Sequence, residues 1–198
     1  MKLDFIHDIQ TAYRSLLDSI SRPGLISSIE LQAKKVEFET GCLPSTAVLA
    51  LMLLDTEVTF KVFSEREAEV SKILNQLTYA KATDAKQAEF IFVLQDARPG
   101  DLENALELAK SGDLINPHES ATVIIETESV TKGEKIVLTG PGIKEESIAY
   151  VSLNANWLDS RAERNVEFPL GIDLILTDTK SDVLCLPRTT EILERVVN

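Results

Sequence analysis

Histidine and cysteine are scarce, with two of each in 198 residues. His7 and His118 are too few for a three-histidine metal centre. Cys42 and Cys185 lie far apart and outside any CxxC spacing. The expectation is a reduced, cytoplasmic protein with neither a disulfide framework nor a thiolate metal site. Long apolar runs are also missing. The longest, AVLALMLL at 47–54, has eight residues, whereas a membrane span needs about 20. It reads as a buried helix, and no membrane is expected as a partner. The N-terminal stretch MKLDFIHDIQTAYRSLLDSIS is polar every few residues and carries acids, so it does not read as a secretion signal. Positive charge is in short supply too: 20 Lys and Arg against 32 Asp and Glu give a net charge of −12. Most of such a surface repels a phosphate backbone, and the pair KK at 34–35 is too short to offset that. Nucleic acid is therefore not an expected partner. The acidic balance fits solubility, or docking onto a more basic protein.

The common catalytic fingerprints are absent as well. The chain has no GxGxxG or GxxxxGK[ST] to cradle a pyrophosphate, and neither GxSxG nor HExxH. What remains is an ordinary globular composition, 44% apolar and 26% charged.

Periodicity divides the chain into alternating elements. Ile6, Ile9, Tyr13, Leu16, Leu17 and Ile20 recur at helical spacing until SRPG (21–24) stops them. LISSIEL (25–31) reads as a strand, PSTAVLALMLLD (44–55) as a helix buried on most faces, and VTFKVFS (58–64) as a strand. EREAEVSKILNQL (65–77) is a helix and EFIFVLQ (89–95) a strand. PGDLENALELAKSG (99–112) is a helix closed by Gly112. TVIIETESV (122–130) and EKIVLTG (134–140) are expected to form a hairpin around Lys132-Gly133. SIAYVSL (147–153) is a further strand and NANWLDSRAERNVE (154–167) a helix. FPLGIDLILT (168–177) and VLCLPRTT (183–190) form a second hairpin across DTKSD. Parallel crossovers in the first half and hairpins in the second predict one α/β domain over residues 1–198, three-layer α/β/α with a mixed sheet.

Few positions invite chemistry. His7 reads as a helix-surface residue and His118 as a loop residue. Lys110 occupies the last turn of a helix, where a cation complements the dipole, and no lysine is marked for Schiff-base catalysis. In LTGPGIKEE, Gly140 and Gly142 could expose backbone N–H groups to an anion. Pro141 removes a donor and Glu145 and Glu146 repel phosphate, so a tight structural turn is favoured. Asp173, set among aliphatic residues of FPLGIDLILT, needs a partner to survive there. A four-residue loop would place it opposite Arg188, whose guanidinium can hold a carboxylate through two hydrogen bonds. A structural Asp173–Arg188 pair is favoured over catalysis.

The order of a helix ending in RPG, a strand, PSTAVLALMLLD, LTGPGI, FPLGIDLIL and LPRTT resembles the H-subunit (PhnH) family of the bacterial carbon–phosphorus lyase system, which breaks down phosphonates. The most specific segments are Leu138–Ile143, Phe168–Thr177 and Leu186–Thr190. They mark Gly140, Gly142, Phe168, Pro169, Gly171, Asp173, Pro187 and Arg188 as candidate structural or interaction positions. The resemblance implies a fold related to the large domain of pyridoxal-phosphate-dependent transferases, without the cofactor lysine and without bound cofactor. It also implies a homodimer when alone and a complex with the G, I and J subunits. In that system G, H and I, with L, support replacement of the adenine of ATP by an alkylphosphonate, and J later breaks the carbon–phosphorus bond. No catalytic, cofactor-binding or metal-binding residue is carried over. An accessory, non-catalytic subunit is the leading expectation. The alternatives are a transferase-like enzyme and a small-molecule-binding module with a degenerate pyridoxal phosphate pocket.

Overall fold

The apolar runs near the middle of the chain bury side chains on both of their faces. Along residues 90–94, Ile91 and Val93 join one apolar cluster, while Phe92 and Leu94 join another on the opposite side. Val123 and Ile125 are separated from Ile124 in the same way, as are Leu174 and Leu176 from Ile175. Strands of this kind belong in the interior of a sheet covered on both faces.

A computed structural model describes residues 2–153 and 156–196, the side chains of 194–196 excepted. It opens with helix α1 (His7–Ser21), strand β1 (Ser27–Ser28) and the one-turn helix α2 (Glu30–Ala33). Helix α3 (Pro44–Leu53), strand β2 (Thr59–Phe63), helix α4 (Glu67–Thr78) and strand β3 (Lys81–Ala82) follow. Next come strand β4 (Phe90–Val93), helix α5 (Asp101–Leu108) and strand β5 (Thr122–Glu126). Strands β6 (Glu134–Thr139) and β7 (Ser147–Val151) precede helix α6 (Trp157–Arg164). Strands β8 (Asp173–Thr177), β9 (Asp182–Leu186) and β10 (Glu191–Val196) complete the described chain.

Among the described residues, seven strands form a sheet in the order β1-β9-β8-β5-β4-β2-β3. Neighbours from β8 to β3 run parallel, while β9 is antiparallel to β8 and β1, so the sheet is mixed as expected. Leu16 of α1, Val48 and Leu49 of α3, and Val70 and Leu74 of α4 close one face over Phe60 and Phe92. Phe60 and Phe92 meet edge to face. Ala105 and Leu106 of α5 and Trp157 of α6 close the other face. The simple α/β/α expectation needs one correction there. A three-stranded antiparallel sheet, β10-β6-β7, shares that outer layer with the helices, contributing Ile136, Leu138, Ala149 and Val151.

That second sheet overturns the expected hairpin of 122–130 with 134–140. Residues 122–126 are apolar on both faces and pair in parallel with β4 and β8. Residues 134–139 bury only alternate positions, the pattern of a strand with one wet face, and pair with β7 and β10 instead. Three further expectations shift. LISSIEL yields only two strand residues before α2; Ile26, partly buried, packs against one apolar cluster, while Ile29 is buried in the other and precedes the helix. Helix α5 ends at Leu108, not at Gly112. Gly112 lies beyond it, beside an isolated bridge from Ser111 to Ser120. The strand 183–190 stops at Leu186, since Pro187 cannot donate to a ladder. β3 and β10 had no counterpart in the sequence reading. The helix expected at 154–167 spans 157–164, and positions 154 and 155 lie outside the described residues. No helix among the described residues is long and apolar enough to cross a membrane.

Ile124 is fully buried on the central strand β5. Ile124→Ala is expected to cost about 2–5 kcal/mol, read as a lower midpoint in urea unfolding at an unchanged slope.

Candidate functional site

The β8–β9 hairpin holds the most distinctive of the expected residues. Its register is one residue shorter than a four-residue loop would give: Leu174 pairs with Leu186, and Thr177 with Val183. The turn explains the difference. The Asp178 carboxylate accepts N–H bonds from Lys180 (2.9 Å) and Asp182 (3.2 Å), while Ser181 adopts a positive φ of 65°. These contacts close a three-residue loop. Asp173 therefore lies level with Pro187, and Arg188 reaches it from just past the strand end. The Arg188 backbone N–H donates to Asp173 Oδ1 at 2.7 Å. Its Nε donates to the same oxygen and Nη2 to Oδ2, forming a forked ion pair. Nη1 donates to the carbonyl of Pro117 at 2.7 Å. Every polar group of the pair named here thus serves neighbouring backbone or its partner. The pair lies at the amino end of β8, whereas open α/β sheets bind ligands outside the carboxyl ends of their strands.

The other expected residues gather only in part around this turn. Gly140 has φ 124°, and a Cβ there would stand 2.6 Å from the Thr189 carbonyl oxygen. The end of β6 thus rests directly on the Pro187–Thr190 turn. Gly171 has φ 138° and abuts Asn165 Oδ1 and Arg188 Cβ, while its N–H donates to Ser111 at 2.9 Å. Pro187 shares an apolar crevice with Asp173 and Ile20. Gly142 sits elsewhere, against the Ser21 carbonyl at the end of α1. The 140–143 segment closes as a turn, with Ile143 N–H donating to Gly140 at 3.1 Å. Phe168, joined to Pro169 by a cis peptide bond, is 77% exposed and stands outside the cluster.

Sequence reasoning missed Arg161. It follows the only tryptophan by four residues, so both occupy the buried stripe of α6. Such an i, i+4 spacing was the signal available. Its Nη2 donates to the carbonyls of Pro187 (2.8 Å) and Thr190 (2.9 Å), clamping the β9–β10 turn. Burial pushes the Arg161 guanidinium down to about 10, with the nearby Asp173 carboxylate acting in the opposite sense.

A second polar cluster, also missed, occupies the carboxyl ends of the parallel strands. Glu126 ends the apolar run of β5, a position that could have drawn attention for the same reason as Asp173. Its Oε1 accepts the Leu43 N–H at 2.6 Å, just before α3, and Oε2 accepts the Gln95 N–H at 3.0 Å, just after β4. Burial pushes its carboxyl up from the usual range. The Leu43 and Gln95 amides oppose that shift, and the Asp96 charge adds to it. Close by, Ser64 Oγ donates to Asp96 Oδ2 at 2.9 Å. Thr177 Oγ1 lies 2.9 Å from Ser45 Oγ, tying β8 to α3. A cleft of about 520 Å³ opens here between Gln95, Arg98, Glu126, Glu128 and Ser152. Glu126 uses one oxygen for each backbone amide, so it positions α3 against β4 rather than standing free for proton transfer.

Burial raises the thiols of Cys42 and Cys185 to about 12, which keeps them protonated and unreactive at neutral pH. No cluster of three or more metal-ligating side chains occurs among the described residues.

Comparison with known proteins adds what the geometry lacks. The profile of a family described as "Bacterial phosphonate metabolism protein (PhnH)" matches residues 3–193. Over 195 residues the chain is 34% identical to "Alpha-D-ribose 1-methylphosphonate 5-triphosphate synthase subunit PhnH" of Rhizobium meliloti (strain 1021). That alignment covers 97% of this chain and 93% of the relative. It is 32% identical over 185 residues to "Putative C-P lyase subunit protein HtxG" of Stutzerimonas stutzeri, covering 92% and 85%.

The raised Glu126 carboxyl carries a pH signature. A carboxyl held above its unfolded value favours folding at low pH, and that contribution is lost as pH rises through the folded value. Glu126→Gln removes this titration. The stability of wild type relative to Glu126→Gln is therefore expected to fall as pH rises from the acid side through the carboxylate range, measured by urea unfolding at several pH values. A pH-independent difference would show that burial does not govern this group.

Proposed function

Because the chain belongs to the bacterial phosphonate metabolism protein (PhnH) family, we propose that it is an accessory subunit of a carbon–phosphorus lyase assembly acting in phosphonate breakdown. The observation that carries this reading is the extent of the family match, residues 3–193, which takes in every described helix and all the described strands but the second half of β10. In the proposed assembly its partners are the G, I and J subunits, and alone it forms a homodimer in the cytoplasm. Its fold, a single domain over residues 1–198, is related to the large domain of the pyridoxal-phosphate-dependent transferases. With G, I and L it supports transfer of the ribose triphosphate of ATP to an alkylphosphonate, without supplying a reacting side chain. Two features support a non-catalytic role. The conspicuous carboxylates Asp173 and Glu126, and Arg188 with them, are engaged by backbone or by one another. No lysine is buried among the described residues, so none has the desolvated amine a Schiff-base enzyme needs.

Exposed apolar side chains support a place in an assembly. On α1 and just before it, Phe5, Ile6, Tyr13 and Leu17 are exposed, and Ile115 and Phe168 protrude from loops. Surface of this kind is suited to contact with other subunits. A clean deletion is expected to abolish growth on methylphosphonate as sole phosphorus source while leaving growth on phosphate intact. Affinity purification of the chain from its own cells is expected to bring the partner subunits with it. Normal growth of the deletion strain on methylphosphonate would overturn the proposal.

A further inference from the structure

Arg161 is only 4% exposed, yet no carboxylate of the described residues is among its hydrogen-bond partners. Nη2 donates to two carbonyls, and Nε has no hydrogen-bond partner among the described residues. The acid whose charge reaches it, Asp173, is already held by the fork of Arg188. A buried guanidinium without a counter-ion is costly, and proteins pair such groups. Beside it the Thr190 hydroxyl is also buried without a partner among the described residues. Both residues line a pocket of about 500 Å³ between α6 and the start of β10. The pocket wall is apolar on one side, from Leu158, Ala162, Ile192 and Leu193. Arg188 also lines it, with its charge already matched by Asp173. Asp159 and Glu191 line it as well, and both are exposed to water, whose high dielectric weakens their repulsion of an anion.

We propose that this pocket binds a compact oxyanion carrying a short alkyl group, the class to which alkylphosphonates belong. The oxyanion supplies the missing counter-charge to Arg161 and accepts a hydrogen bond from Thr190, while the alkyl group lies against Leu158 and Ile192. The Arg161 charge and the orphan Thr190 hydroxyl select an oxyanion, and the apolar wall selects an alkylated one. The choice of a phosphonate among alkylated oxyanions rests on the functional reading above. The site lies on the α6 layer, apart from the cleft at Glu126.

Calorimetric titration of the purified full chain with methylphosphonate, and separately with inorganic phosphate, tests this. Arg161 also clamps a turn, so the variants are chosen to spare it. Ala162 is exposed on α6 while lining the pocket, which makes Ala162→Trp a filling substitution that leaves the core intact. Thr190→Val removes the hydroxyl at nearly constant volume. Wild type is expected to bind methylphosphonate saturably and more tightly than phosphate. Thr190→Val is expected to weaken binding by about tenfold, and Ala162→Trp to abolish it, with circular dichroism spectra unchanged. No saturable binding by wild type, equal affinity for phosphate, or undiminished binding by Ala162→Trp would overturn the proposal. If wild type fails to bind but still brings its partner subunits down from cells, the pocket assignment falls and the accessory-subunit reading stands. Binding without co-purification has the opposite meaning.

Discussion

Strands β4, β5 and β8 are apolar on both faces, and this constraint shapes the whole molecule. Water is excluded from either side of the sheet, so each face needs its own cover. Helices α1, α3 and α4 supply one, with α3 buried along Ser45–Ala50 because α1, α2, α4 and the sheet pack around it. The other cover combines α5 and α6 with the small β10-β6-β7 sheet, and its apolar positions alternate because only one of its faces is buried. Polar side chains are then left to the two ends of the strands. There they face backbone groups that the ladders do not satisfy. Asp173 receives the Arg188 N–H at the amino end of β8, and Glu126 receives the Leu43 and Gln95 N–H groups at the carboxyl end of β5. Both carboxylates are anchors of chain geometry before they are anything else.

This origin accounts for what the sequence disclosed and what it withheld. Alternation and helical spacing located the long helices among the described residues and every strand of the main sheet except β3, because burial on one stripe or on two faces leaves a local periodic trace. The Asp173–Arg188 pair was legible because an aspartate among aliphatic residues demands a partner, and the hairpin offered one. The pair forms even though the register differs by one residue, since Arg188 reaches back from beyond the strand end. Partner choice for 122–126 and 134–139 was not legible. Proximity in sequence suggested a hairpin, while the two-sided apolar pattern of the first strand sent it into the main sheet. β3 has only two residues and β10 follows a proline turn, too little pattern to distinguish either from loop. Glu126 and Arg161 escaped because their partners lie 83 and 26 residues away in sequence, and no local motif links them.

An accessory role fits this distribution of chemistry. Asp173, Arg188 and Glu126 are tied to backbone or to one another and the two thiols are kept protonated, while apolar side chains protrude on α1 and the 111–118 and 165–171 loops. The α6 pocket is the exception, with a buried cation and a hydroxyl unpartnered among the described residues beside an apolar wall. A subunit of this build can hold a small anion for a neighbour without transforming it.

The central claim is that the distinctive Asp173–Arg188 pair supports the fold and takes no part in chemistry. Replacing both partners tests it most directly. Asp173→Asn keeps an oxygen for the Arg188 N–H, and Arg188→Gln removes the charge left behind. Each single variant is expected to be destabilised by about 2–3 kcal/mol, because it leaves a half-buried charge unpaired. The double variant is expected to lose less than the sum of the two. Introduced into a deletion strain, the folded double variant is predicted to restore growth on methylphosphonate as sole phosphorus source. A double variant that folds stably, accumulates to the wild-type level and still fails to support growth would contradict the account.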